Sequence, residues 1–90
     1  MATRFALVYL SAGDPRLPPR FGFIVAKTVG VAVDRNLVRR RLKAVTFAAI
    51  PDLPSGTEVV IRALPGAAQA GWDILRSELS GVLGGGVTRA

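Results

Sequence analysis

The segment from Arg20 to Lys43, RFGFIVAKTVGVAVDRNLVRRRLK, restricts the possible folds more than any other part of the chain. It opens as an alternating apolar run, passes through Gly30, and closes on Arg35, Arg39, Arg40, Arg41 and Lys43, five basic residues within nine positions. Phe21 to Lys27 has the two-residue period of a strand, with Phe21, Phe23 and Val25 on one face and Gly22, Ile24 and Ala26 on the other. The first face is expected to be core. The second carries two small residues and leaves room for another backbone to approach. Thr28, Val29 and Gly30 make a turn, and a helix is expected from about Ala32 to Ala49, stopped by Pro51 and Pro54.

At about 3.6 residues per turn, Val38, Leu42, Val45 and Ala49 fall in one narrow stripe of that helix. Arg35, Arg39 and Lys43 form a second stripe, with Asn36 and Arg40 beside it, while Arg41 points elsewhere, near Leu37 and Ala48. Asp34 lies in the first turn, where a negative charge suits the helix dipole. The helix is therefore amphipathic, with a basic outer face. Arg35/Arg39 and Arg39/Lys43 are like-charged pairs four residues apart, and each destabilises an isolated helix by about 0.2–0.5 kcal/mol. A helix that needed only a solvated face would gain from interleaved glutamates. The uncompensated run points instead to a polyanion, and the planar fork of arginine suits phosphate oxygens.

Elsewhere, Phe5 to Leu10 reads as a strand, Ser11 to Pro19 as a loop with three prolines, and Thr57 to Leu64 as a third strand broken by Pro65-Gly66. A last helix is expected from about Ala68 to Leu83. It carries Trp72, Leu75, Leu79 and Val82 on one side, and the run Gly84 to Gly86 is expected to end it. Trp72 reads as a core anchor, and residues 87–90 are expected to fray. The order β–β–α–β–α gives an α+β or α/β sandwich, with helices packed on a small mixed sheet. The unit from Phe21 to Leu64 invites a parallel strand pair, whose crossover is by general rule right-handed.

At 90 residues the chain reads as a single domain, 1–90. It contains no cysteine and no histidine, which removes disulfides, thiolate zinc sites and the commonest general base and metal ligand. Neither a catalytic triad nor a pair of adjacent carboxylates is visible. The net charge is +6 and the isoelectric point near 11.4, and seven of the twelve basic residues lie between Arg20 and Lys43. The longest uncharged stretches reach only half of the ~20 apolar residues of a membrane helix. No membrane partner is expected, and with no signal-peptide pattern the cytoplasm is the default. A DNA-recognition helix is usually preceded by another helix; here a strand precedes it, and a sheet plus a basic helix fits RNA better. On the residues alone, a structural RNA-binding protein of ribosomal type and a DNA-binding module both stay open.

Arg20-Phe21-Gly22-Phe23, Val25-Ala26-Lys27, Gly30, Ala32-Val33, Arg35-Asn36 and the run Arg39-Arg40-Arg41 with Lys43 resemble the bacterial ribonuclease P protein family. Its hallmark is an Arg-Asn-Arg segment on a basic helix that follows a strand ending in Val-(Ser/Ala)-Lys. The match spans Phe5 to Leu83, and the third hallmark arginine is Leu37 here. The resemblance implies an α+β fold with a left-handed crossover, of a superfamily shared with the second domain of a small-subunit ribosomal protein. It also implies a protein cofactor of a catalytic RNA that removes the 5′ leader from precursor tRNA, as the non-catalytic subunit of an endoribonuclease. The protein alone would bind no cofactor; the Mg2+ the ribonucleoprotein needs would be held mainly by RNA. Arg35, Asn36, Arg39, Arg40, Arg41 and Lys43 would contact the catalytic RNA, with Lys27 nearby. Phe5, Tyr9, Arg20, Gly22, Ile24 and Ala26 would line the cleft for the single-stranded leader.

Family members carry an aromatic-bearing N-terminal helix before the first strand, and this sequence starts almost directly at that strand. The sheet face such a helix covers is then expected to be exposed, and an exposed apolar face favours self-association by dimerisation or domain swapping.

Overall fold

The computed structural model describes residues 2–88. They form β1 (Ala6–Ala12), β2 (Arg20–Ile24), a short 3-10 helix (Lys27–Val29), α1 (Ala32–Ala49), a second 3-10 helix (Ile50–Asp52), β3 (Thr57–Ala63) and α2 (Trp72–Thr88). The strands make one mixed sheet in the order β1-β3-β2. β1 runs antiparallel to β3, with Val8 opposite Ile61, and β2 runs parallel to β3, with Phe23 opposite the same Ile61. Helix α1 thus connects two adjacent parallel strands, and the fold is the α+β arrangement of helices on a small mixed sheet.

The two-residue alternation of strands sorts the sheet into two faces. Ala6, Val8 and Leu10 of β1, Val59, Ile61 and Ala63 of β3, and Phe21 and Phe23 of β2 turn inward. There they share one core with Val38, Leu42 and Val45 of α1 and Leu75, Leu79 and Leu83 of α2. Full burial of a side chain such as Leu42 or Ile61 contributes about 1.5–3 kcal/mol. Thr46 is buried among them because its hydroxyl donates to backbone carbonyls of its own helix, at 3.0 Å to Leu42 and 3.0 Å to Lys43. The opposite face holds three cross-strand rows: Leu7, Arg62 and Ile24; Tyr9, Val60 and Gly22; Ser11, Glu58 and Arg20. Neither helix covers it, and Tyr9 and Ile24 are 54% and 45% exposed.

Helix α1 has the bounds its periodicity predicts, and Pro51 in the 3-10 helix that follows ends it. Its start depends on Gly30, at φ 153° and ψ −167°, a region essentially restricted to glycine. A Cβ there would also lie 3.0 Å from Oδ2 of Asp34.

Four elements have bounds that differ from the sequence reading, β3 by a single residue, since it ends at Ala63 and not Leu64. Strand β1 is shifted to Ala6–Ala12, following the length of its antiparallel partner β3. Strand β2 stops at Ile24 instead of Lys27: Ile24 is paired with Arg62, β3 itself ends at Ala63, and the ladder runs out. Val25 and, after the 3-10 helix begins, Val29 are buried instead. Helix α2 begins at Trp72, because residues 65–70 close as successive turns around Gly66 at φ 95°. It also continues to Thr88, through the glycine run expected to stop it. A glycine ends a helix by adopting positive φ, and among the described residues Gly30, Gly56 and Gly66 are the glycines that do so. Of residues 87–90, expected to fray, Val87 and Thr88 are helical, and 89–90 lie outside the described residues.

Candidate nucleic-acid interface

Because Val38, Leu42 and Val45 are committed to the core, the helical repeat turns Asn36, Arg39, Arg40 and Lys43 outward, and all four are exposed. With Val33 they line an open groove of about 540 Å³. Lys27 is exposed at the start of the 3-10 helix that leads into α1.

Among the described residues, the ion pairs lie away from this face. Arg4 meets Glu78 at 2.8 Å, Arg16 meets Asp14 at 3.0 Å, Arg76 meets Asp73 at 3.4 Å, and Arg20 pairs with Glu58 across the β2–β3 register. Arg16, by its side chain and then its backbone N–H, holds the Asp14 carboxylate below its ordinary pKa, with Arg20 adding to the effect. Arg39, Arg40, Lys43 and Lys27 have no such acidic partner among the described residues. The five acids whose side chains are described, Asp14, Asp34, Glu58, Asp73 and Glu78, leave the outer face of α1 unneutralised.

Arg35 and Arg41 stand apart from that exposed set. Arg35 is half-buried at the flank of the core stripe, and its Nε is buried without an acceptor. An unsatisfied buried donor costs about 1–3 kcal/mol. Arg41 points away from the basic groove, as the helical repeat requires, and its Nη1 donates to the carbonyl oxygen of Ala70 at 3.1 Å.

Of the six residues expected at a leader cleft, Tyr9, Arg20, Gly22 and Ile24 share the uncovered sheet face. The other two do not join them. Phe5 precedes β1, its carbonyl accepts from the Leu64 N–H at 2.8 Å, and its ring packs against the core. Ala26 lies beyond the strand, at the start of the 3-10 helix.

A family model described as Ribonuclease P matches residues 1–85. The chain belongs to the ribonuclease P protein family. The ribonuclease P protein component of Clavibacter michiganensis subsp. michiganensis is 50% identical over 88 residues, 98% of this chain and 74% of that protein. That of Acidothermus cellulolyticus is 42% identical over 85 residues, 93% of this chain and 71% of the relative. The RNase P protein of Thermotoga maritima, solved in complex with 1-(4-fluorophenyl)-2-thiourea, superposes with a TM-score of 0.81 at 17% identity, over 93% of this chain and 81% of that one. The Staphylococcus aureus RNase P protein gives 0.78 at 21%, over 92% and 75%. At such identities the superpositions show the fold.

For a ribonuclease P family member, two features of this face went unread in the sequence. Phe47 is 77% exposed, one helical turn beyond Lys43 on the outer side of α1. Its position off the apolar stripe was the available signal. Leu37, in place of the hallmark arginine, lies in a second, smaller groove with Ala44, Trp72, Arg40 and Arg41. No local pattern relates Trp72 to α1, since that contact is made by tertiary packing.

Proposed function

We propose that this chain is the protein subunit of ribonuclease P, binding the catalytic RNA and the 5′ leader of precursor tRNA in the cytoplasm and so promoting endonucleolytic maturation of tRNA. The observation that carries this reading is the outer face of α1, where Arg39, Arg40 and Lys43 are exposed with no acid among the described residues to meet them. Phosphates of the catalytic RNA supply the missing charge, with Arg35, Asn36 and Lys27 at the borders of the contact. The leader runs over the open sheet face, where the Tyr9 ring offers a stacking surface for an unpaired base. A Cβ on Gly22 would be 3.8 Å from Val60, an ordinary contact, so no contact among the described residues requires glycine at the middle of that face. A nucleotide backbone passing close to it would.

This reading leaves hydrolysis to the RNA and its Mg2+. Among the described residues no group of three or more His, Cys, Asp or Glu is placed to hold a metal ion. Among them, too, no helix is long and apolar enough to cross a membrane.

Reconstitution tests the proposal. Added to a bacterial ribonuclease P RNA at low Mg2+, the chain is expected to stimulate cleavage of precursor tRNA, and the Arg35→Ala/Arg39→Ala variant to lose most of that stimulation. No stimulation, or full stimulation by the variant, sinks it. Tight binding to the RNA without stimulation would instead identify a structural RNA-binding protein of ribosomal type. Equal affinity for random duplex DNA would identify a DNA-binding module. The exposed Tyr9 and Ile24 also make the open face a surface for a second copy of the chain, by dimerisation or domain swapping. Light scattering that gives a clean monomer at high concentration rules that out.

A further inference from the structure

The smaller groove lies between α1 and the start of α2, has a volume of about 260 Å³, and is lined by Leu37, Ala44, Trp72, Arg40 and Arg41. Three of these side chains are apolar or aromatic and two are cationic. Its volume falls below the about 300–1,000 Å³ that drug-sized ligands occupy, a scale that suits a single flat ring system. A Cβ built on Gly71, next to Trp72, would have no neighbour within 4 Å, so space is open beside the first residue of α2.

The two arginines differ in a way that matters. Arg41 spends one of its five N–H donors on the carbonyl oxygen of Ala70, at 3.1 Å, which fixes its guanidinium at the groove edge and leaves the other donors for an incoming acceptor. Arg40 lines both this groove and the larger basic groove with Asn36, Arg39 and Lys43. A strand whose phosphates follow the basic groove therefore passes Arg40, and beyond Arg40 the lining changes from charged to apolar. That succession, phosphate-binding cations leading to an aromatic-lined slot, is how proteins hold unpaired nucleotides.

We propose that the groove between α1 and the start of α2, lined by Leu37, Ala44 and Trp72 and flanked by Arg40 and Arg41, receives one unpaired base of the bound RNA. The proposal rests on the reading of α1 as an RNA-binding face and adds to it a site for a base. Leu37 then has a task of its own: at this position an apolar side chain gives the base a surface where a longer cation would cross the slot. Trp72 serves two ends, with part of the indole packed on the core and part lining the slot.

Trp72 is the chain's one tryptophan, so its emission reports on this groove. A transcript of a bacterial ribonuclease P RNA is titrated into the chain, with binding read by filter retention and Trp72 emission read in parallel after inner-filter correction. Saturating RNA is expected to lower Trp72 emission at least about twofold, with both readouts giving one affinity. Ala44→Leu, at an exposed helical site where leucine is nearly as favourable as alanine, obstructs the slot without touching the core. It is expected to abolish the emission change and weaken binding about 5- to 30-fold. Arg39→Ala should weaken binding yet leave the emission change at saturation intact. RNA binding that depends on Arg39 with no change at Trp72, or an unchanged response in Ala44→Leu, overturns the base site and leaves the basic face standing. Absence of binding by filter retention overturns both.

Discussion

Arg41 Nη1 donates to the carbonyl oxygen of Ala70, 3.1 Å away, joining residues 29 positions apart in the sequence. It is the basic residue of α1 that reaches across to the segment ahead of α2. A net hydrogen bond from a charged group is worth about 1.5–3 kcal/mol, so removing Arg41 loosens the contact between the helices as well as the charge.

Arg41→Ala and Arg39→Ala therefore separate. The first is expected to lower stability by about 1–2 kcal/mol, a fall in Tm of roughly 5–15 °C for a domain of this size. The second removes an exposed side chain with no ion-pair partner among the described residues and should stay within about 0.5 kcal/mol of wild type. Calorimetry of both variants is the check, and equal melting temperatures would contradict the assignment.

Salt dependence should report how many cations meet phosphate. The five basic residues of α1 would together give a slope of log affinity against log salt of about −3.5 to −4.5. With Arg41 committed to Ala70, four remain, and the slope is expected near −2.8 to −3.6, or about a 50- to 150-fold loss between roughly 50 and 200 mM salt. Filter-binding titrations with the ribonuclease P RNA measure it, and a slope shallower than about −1.5 would mean that α1 is not the phosphate face.

Gly30→Ala is expected to cost about 1–3 kcal/mol, because the residue sits in glycine-only backbone space and the added methyl would lie 3.0 Å from the Asp34 carboxylate. Urea denaturation gives the value. A variant as stable as wild type would show that the turn into α1 does not depend on this conformation.

Asp14 should give the loop before β2 a small acid sensitivity. Its carboxylate, held by Arg16, has a pKa lowered from 3.8. A carboxyl whose folded pKa is depressed stabilises the fold above its unfolded value, and the contribution fades as pH falls through the folded one. Asp14→Asn should therefore melt slightly below wild type near neutral pH, with the gap closing as pH falls below the ordinary carboxylate value of 3.8 and through the lowered folded one. A gap that stays constant on acidification excludes the carboxylate as its source.

Periodicity alone carried α1 and the two faces of β2, because each depends on residues a few positions apart. Val38, Leu42 and Val45 define the buried stripe of α1 whatever it packs against, and the basic face follows by exclusion. The limits of β1 and β2 depend on where β3 lies beside them, which no local pattern contains. Helix α2 was misjudged at both ends: the turns around Gly66 delay its start, and the glycines near its end keep helical torsions. The outward direction of Arg41 was legible in the helical repeat; its acceptor, the Ala70 carbonyl, required the packing of α1 against α2. Phe5, expected as the first residue of a strand and, from the resemblance, at the leader cleft, lies one residue before β1 and packs against the core.

The order β1-β3-β2 makes β3 the shared neighbour of both other strands, and β3 is also the last of the three to be synthesised. A ribosome that has released the chain only as far as Ser55 presents β1 and β2 with no partner between them, their inward faces still wet. Helix α1, whose backbone hydrogen bonds are all local, needs no such distant partner for its ladder. During translation the sheet therefore waits on β3, and its two ladders can form only once Thr57 to Ala63 has emerged to pair with both neighbours.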